Sequence, residues 1–224
     1  MEPLETERRV IDAAEALARS LGDNDNHTVA AAVMDVDGRI HQAVNVYHFN
    51  GGPCAELVAL GVAATAGAVQ LLTIAAAGDR GRGLIPPCGR CRQVLLDHHP
   101  DILVAVPSES GPVVRPVRKL LPDTYFYARG RRIFRFNKRY HDAVLSGEKT
   151  TTIRWDEPVT AGPATFVFED HSEFAHVDGE IISVEQTRLQ DLGAEHARGL
   201  KAHYPLMPED AVLSRVSFLV QAAR

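Results

Sequence analysis

The sequence predicts an α/β domain followed by a small, mostly β domain. Three observations predict it. Between residues 4 and 121, strand-like runs alternate with runs of helical spacing, the pattern of an α/β sandwich with a mixed sheet. Near residue 129 the composition changes: Arg129, Arg131, Arg132, Arg135, Lys138 and Arg139 form a basic cluster without an acidic residue. Beyond that cluster, short strand-like runs dominate around one or two helices. The expected domains are residues 1–128 and 129–224.

The elements follow in order. Leu4, Val10, Ile11, Ala14, Leu17, Ala18 and Leu21 recur at near-helical spacing and stop at Gly22, which predicts an amphipathic helix over 4–21. Residues 28–36 and 39–47 are β-rich and flank Asp37-Gly38, a hairpin signal. Residues 54–68 are apolar nearly all round and read as a buried helix. Residues 70–77 read as a buried strand, followed by a glycine-rich loop over 78–83. Residues 88–98 predict a helix, 102–106 a strand, 113–114 a strand, and 117–121 a short helix ended by Pro122. In the second domain, strands are expected at 133–136, 150–155, 165–168, 179–184 and 216–220. Helices are expected at 139–145 and 191–200.

All three cysteines fall in two short runs. One is Gly51-Gly52-Pro53-Cys54-Ala55-Glu56-Leu57; the other is Pro86-Pro87-Cys88-Gly89-Arg90-Cys91-Arg92-Gln93. Cys-x-x-Cys is a zinc-binding spacing, and a third thiolate from elsewhere leaves one tetrahedral corner open. An open corner is a feature of catalytic zinc rather than structural zinc. A redox Cys-x-x-Cys needs neither a third cysteine nor an adjacent carboxylate. The cysteines fall at two predicted helix starts, where unpaired amides and partial positive charge favour thiolates. Three thiolates on Zn²⁺ leave a net negative charge, which nearby cationic donors offset; Arg90 and Arg92 are candidates.

On these residues the first 128 positions are similar to the zinc cytidine deaminase superfamily, in its three-cysteine branch. Val44-Asn45-Val46-Tyr47-His48-Phe49 and the run from Pro87 to Leu96 look closer still to the blasticidin S deaminase family. The resemblance implies a five-stranded mixed sheet with helices on both faces. It implies hydrolytic deamination of a cytosine nucleoside, with Cys54, Cys88 and Cys91 holding zinc and Glu56 moving protons. It also implies a homotetramer. By matching position, Thr28, Asn45, Arg82, Tyr125 and Tyr127 become substrate contacts; Asn50, Gly51 and Gly52 read as the tight approach to the pocket, because glycine permits close backbone contact with a ligand. Cytidine deaminases read the ribose with Asn-x-Glu; Asn45-Val46-Tyr47 keeps the amide and lacks the acid. That departure suits a cytosine nucleoside with an unusual sugar, whose carboxylate Arg82 would meet. Leu57 stands where many three-cysteine relatives carry an arginine.

The second domain resembles ASCH domains, which are PUA-like β-barrels, over roughly 133–222. Gly147, Lys149, Thr150, Thr152 and Arg154 match their Gly-x-Lys-Thr-x-Thr-x-Arg core. The resemblance implies one of two roles. Lys149, Thr152 and Arg154 would form an amidohydrolase site for N4-acylcytidine, although the acid such enzymes use falls at or near Leu200. Alternatively the domain would bind RNA, through phosphates met by the basic cluster, and present it to the deaminase for editing.

Composition narrows the classes. Apolar content of 45% and charged content of 24% are ordinary for a globular protein. A net charge of −5 gives no global reason to bind nucleic acid. Three cysteines with metal spacing argue for a reducing compartment, and a cytoplasmic location is expected. No apolar run is long enough to cross a bilayer, and the first residues do not read as a signal peptide.

Overall fold

The computed structural model describes residues 1–125, 132–157, 159–170 and 175–220. The chain divides into two compact units. The first comprises Met1–Ile133 with Glu169–His176, and the second Phe134–Phe168 with Val177–Arg224.

The first unit is a sheet between two layers of helix. Helix α1 (Glu5–Ser20) opens with the Glu7 carboxylate accepting the Leu4 amide at 2.9 Å, a capping contact for the first turn. Its buried stripe is Val10, Ile11, Ala14 and Ala18. Strands β1 (Val29–Asp35) and β2 (Ile40–Val44) pair antiparallel. The Asp35 carboxylate ties their turn. It accepts from the Asp37 and Arg39 amides, from Arg39 Nε at 2.8 Å, and meets His41 Nε2 at 2.8 Å. Burial pushes the Asp35 pKa up, but His41 and Arg39 outweigh it and hold the carboxyl below its usual value.

Helix α2 (Ala55–Thr65) leads into β3 (Leu71–Gly78), which is buried along its whole length. After it come β4 (Gly83–Ile85), helix α3 (Gly89–His98), β5 (Leu103–Ser108), β6 (Gly111–Pro116) and a 3-10 turn at Val117–Leu120. The strand path is β2-β1-β3-β5-β6, matching the five strands expected. A sixth strand was not expected. It is β4, which pairs antiparallel with Ala76–Gly78 on the edge where β5 runs parallel to Thr73 and Ile74. The expected loop over 78–83 is therefore shorter, and returns directly into the sheet.

Alternation along β1 explains the layers. Ala31 and Val33 join the core beneath α2 and α3, with Ala59, Leu95 and Leu96. Ala30, Ala32 and Met34 point the other way and pack with Val10, Ile11 and Ala14 of α1. Both faces are covered, so the strand is apolar from Val29 to Met34.

The second unit holds nearly all of a five-stranded sheet built from β7 (Arg132–Asn137), β8 (Thr151–Arg154), β9 (Gly162–Glu169), β10 (Ala175–Arg188) and β11 (Val212–Val220). Their order is β7-β9-β10-β11-β8. Helices α4 (His141–Leu145) and α5 (Ala194–His203) accompany it. Phe134, Phe136, Phe166, Phe168 and Phe218 supply its aromatic core, with ring centroids 5.0 to 6.1 Å apart.

Candidate metal centre and substrate mouth

Two helix starts bring the cysteines together. Cys54 is the N-cap residue of α2, Cys88 is the N-cap residue of α3, and Cys91 lies in the first turn of α3. Cys54 Sγ is 3.7 Å from Cys88 Sγ, which is 3.5 Å from Cys91 Sγ. All three sulfurs lie within 4.8 Å of one another.

That spacing tests the fit of an ion. Sulfurs bound at about 2.3 Å in a tetrahedron stand about 3.8 Å from one another. A disulfide would need about 2.0 Å, and all three cysteines are free thiols. The donor set therefore fits Zn²⁺. The thiols' own electrostatics agree. Burial pushes Cys91 up, with the Glu56 charge adding to it; burial and Cys88 push Cys54 up. Cys88 is held down despite burial, because the Cys91 and Arg90 amides and the two neighbouring thiols favour its thiolate. A divalent cation in the group reverses the penalty on the other two.

Glu56, in the first turn of α2, is 5% exposed, and burial raises its pKa although the Cys91 thiol lowers it. Gly52 shapes the approach to Cys54: a Cβ there would lie 1.7 Å from the Val46 carbonyl oxygen. The close approach is fixed by the Val46 amide donating to the Pro53 carbonyl at 3.1 Å. Arg92 does not face the sulfurs as a free donor. It donates to the Pro87 and Leu120 carbonyls, each at 2.8 Å, and so pins the segment before Cys88. Arg90 is exposed.

The expected substrate contacts split into three groups. Thr28, Asn45 and Arg82 come together at one end of the sheet. Asn45 Oδ1 accepts the Thr28 amide at 2.7 Å and the Val29 amide at 2.8 Å. The Thr28 carbonyl accepts from Arg82 Nη2 and from the Asp79 amide. Tyr125 is largely exposed, and Gln93 Nε2 holds its carbonyl at 3.1 Å. Tyr127 lies outside the described residues, as do Arg129 and Arg131 of the basic cluster.

Two residues were missed in the sequence. Gln93 also meets the Thr124 hydroxyl and Asp97, so it anchors the segment carrying Tyr125 to α3. Asp79 binds Arg82 and is 3% exposed; a carboxylate followed by Arg80 and Arg82 was the available signal.

In the second unit, Lys149 Nζ donates to the Thr151 carbonyl at 2.9 Å and sits 4.7 Å from the Tyr140 ring centre. Burial, then Arg154 and Arg139, lower its pKa. Thr152 pairs with Val216. Arg154 donates to the Arg135 carbonyl and lies over the Phe134 ring, 3.8 Å from Glu157. Leu200 packs into the cluster of Leu189, Met207, Ala211 and Leu213.

The molecule is an α/β protein whose three convergent thiols, beside a buried carboxylate, fit a metal centre. The family model for the cytidine and deoxycytidylate deaminase zinc-binding region matches residues 4–106. Cytidine deaminase of Mycobacterium tuberculosis is 35% identical over 119 residues, 51% of this chain and 84% of that protein. The chain belongs to this deaminase family. Blasticidin-S deaminase of Bacillus cereus is 29% identical over 125 residues, 52% of this chain and 89% of that protein. Among solved structures, cytidine deaminase from Burkholderia pseudomallei is 32% identical and covers 53% of this chain and 98% of its own, with a TM-score of 0.44. An ASCH domain from Lactobacillus crispatus is 15% identical and covers 40% and 79%, with a TM-score of 0.31. Among the described residues, no helix is long and apolar enough to cross a membrane.

Proposed function

We propose that the chain is a zinc-dependent hydrolytic deaminase of cytosine nucleosides, with a carboxylate-bearing nucleoside such as blasticidin S favoured over cytidine. The observation that carries this is the group of three sulfurs spaced for one ion beside a buried Glu56. In the reaction, water adds at C4 of the cytosine ring, the C4–N4 bond breaks, and the uracil nucleoside and ammonia leave. Cys54, Cys88 and Cys91 would hold the zinc, which would supply the Lewis acidity for deprotonating water near neutral pH.

Glu56 takes the water's proton on a carboxylate oxygen. It delivers that proton to ring N3, and then helps protonate the departing amine. Its burial suits this work, since a carboxyl whose pKa is raised gains and loses protons more readily near neutrality. Thr28, Asn45, Arg82, Tyr125 and Tyr127 are proposed to bind the nucleoside. Asn45 spends its side-chain oxygen on two backbone amides and one Nδ2 hydrogen on the Asn26 carbonyl at 3.5 Å, so one Nδ2 hydrogen is left to offer a ligand. A donor without an acidic partner favours a sugar rich in acceptors.

Residues 1–128 are proposed as the deaminase domain and 129–224 as an ASCH-like accessory domain. Lys149, Thr152 and Arg154 are its candidate site. An amidohydrolase reading lacks its acid, because Leu200 is packed into a core. A homo-oligomer is supported by apolar side chains left on the surface, including Val62 of α2 at 40% exposure and Phe49 at 82%.

The test is an absorbance assay of cytidine, deoxycytidine, cytosine and blasticidin S, with metal analysis of the purified protein. Deamination of blasticidin S at higher kcat/KM than cytidine, by protein holding about one zinc per chain, supports the reading. Absence of turnover on all four by zinc-loaded protein overturns it.

A further inference from the structure

Arg82 is not a loose surface cation. It closes the turn between β3 and β4, with its amide donating to the Asp79 carbonyl at 3.0 Å. Its side chain folds back across Gly78, where a Cβ would lie 2.6 Å from Arg82 Nε and 2.8 Å from Cζ. Only glycine leaves that path open. Arg82 Nη2 then reaches Asp79 Oδ1 at 2.6 Å and the Thr28 carbonyl.

The neighbouring Arg80 behaves differently. Its guanidinium points to Asp25 at 2.9 Å and Asp23 at 3.4 Å, both of them exposed surface carboxylates. Asp79 Oδ2 is 3.8 Å from Arg80 Nε and has no hydrogen-bond partner among the described residues, although it is buried. A buried carboxylate with one unpaired oxygen is a cost to folding. The Arg82 contact adds little stability in return, because the arginine is half exposed.

We propose that Asp79 is a positioning residue: it fixes the Arg82 guanidinium beside Thr28 and Asn45 to recognise a carboxylate on the sugar of the substrate. The proposal rests on the deaminase reading above and names its source of selectivity. Register places the group at the proposed site. Val29 pairs with Gly78, and Gly78 with Gly83. The strand ends carrying Thr28, Asn45 and the turn from Asp79 to Arg82 therefore lie side by side. Cys54 follows Asn45, and Cys88 follows Gly83, after short connections. Asp79 occupies one nitrogen of Arg82; Nη1 has no protein partner among the described residues. A guanidinium held at one corner presents its remaining donors in a fixed direction, which a free side chain would have to find at an entropic cost.

The test measures binding without turnover. In zinc-loaded Glu56→Gln protein, calorimetric titration gives Kd for blasticidin S, whose sugar bears a carboxylate, and for cytidine, whose sugar does not. Asp79→Asn is expected to raise Kd for blasticidin S about tenfold or more, the scale of a charge-assisted hydrogen bond, with a change below about threefold for cytidine. Arg82→Gln should do the same. The double variant should be no weaker than Arg82→Gln alone, since Asp79 acts through Arg82. Arg82→Lys keeps the charge and loses the fork, and should not restore affinity; it also decides the matter should Asp79→Asn fail to fold. Equal weakening of both ligands, additive effects, or unchanged blasticidin S affinity overturns the role of Asp79. Failure of the parent Glu56→Gln protein to bind either nucleoside overturns the deaminase reading along with it.

Discussion

Cys88, the N-cap residue of one helix, and Cys91, in its first turn, hold their sulfurs 3.5 Å apart, while Cys54, the N-cap residue of another helix, meets Cys88. The group is built by two helix starts, so removing one ligand should not unfold either helix. Cys88→Ser is expected to reduce bound zinc to below about one tenth per chain while leaving the far-ultraviolet spectrum unchanged. Elemental analysis with circular dichroism checks both.

Glu56 is buried beside the sulfurs without being one of them. Glu56→Gln keeps the volume and removes the proton carrier. It should lower kcat by about 10² to 10⁴-fold with zinc content unchanged, measured by ammonia release and metal analysis.

Gly52 sits where any side chain would run into the Val46 carbonyl. Gly52→Ala forces the segment before Cys54 to shift. A destabilisation of about 1–3 kcal/mol is expected in urea unfolding, together with weaker zinc retention under chelator competition.

His99 follows α3, and burial, then His98, lower its pKa from 6.5 to about 4. Between those values the unfolded chain carries the proton and the folded chain does not, so stability falls as pH drops through this window. The loss approaches about 3 kcal/mol at most. Urea unfolding of wild type and His99→Gln at pH 7 and at pH 4.5 should show a smaller acid loss in the variant.

Val62 and Phe49 expose apolar surface on the first unit. Val62→Asp should shift the protein toward monomer in light scattering coupled to size exclusion, without lowering its zinc content.

Much of this was readable from residue spacing. The cysteine pattern carried the metal centre because ligand geometry leaves few ways to arrange three thiols with that spacing. The α1 stripe and the Asp37-Gly38 turn carried their elements because periodicity and turn chemistry are local. Strand β4 was not readable: Gly83, Leu84 and Ile85 are too few to show a period, and β3 supplies the pairing that makes them a strand. The structural setting of Arg82 was hidden for a similar reason. Its partner Thr28 is 54 positions away, and only the register of β1 on β3 brings them together. The roles of Arg92 and Gln93 depend on carbonyls and hydroxyls contributed by residues near 120–125, which no local pattern announces.

The Cys54–Cys88 proximity spans 34 positions, and between them lie α2, β3 and β4. An ion joining the two therefore works as a removable clasp on a long stretch of chain, and limits the freedom that stretch would gain on unfolding. Resistance to heat and to proteolysis should accordingly climb with the concentration of free zinc above the dissociation constant, so the supply of metal would govern how long the polypeptide survives.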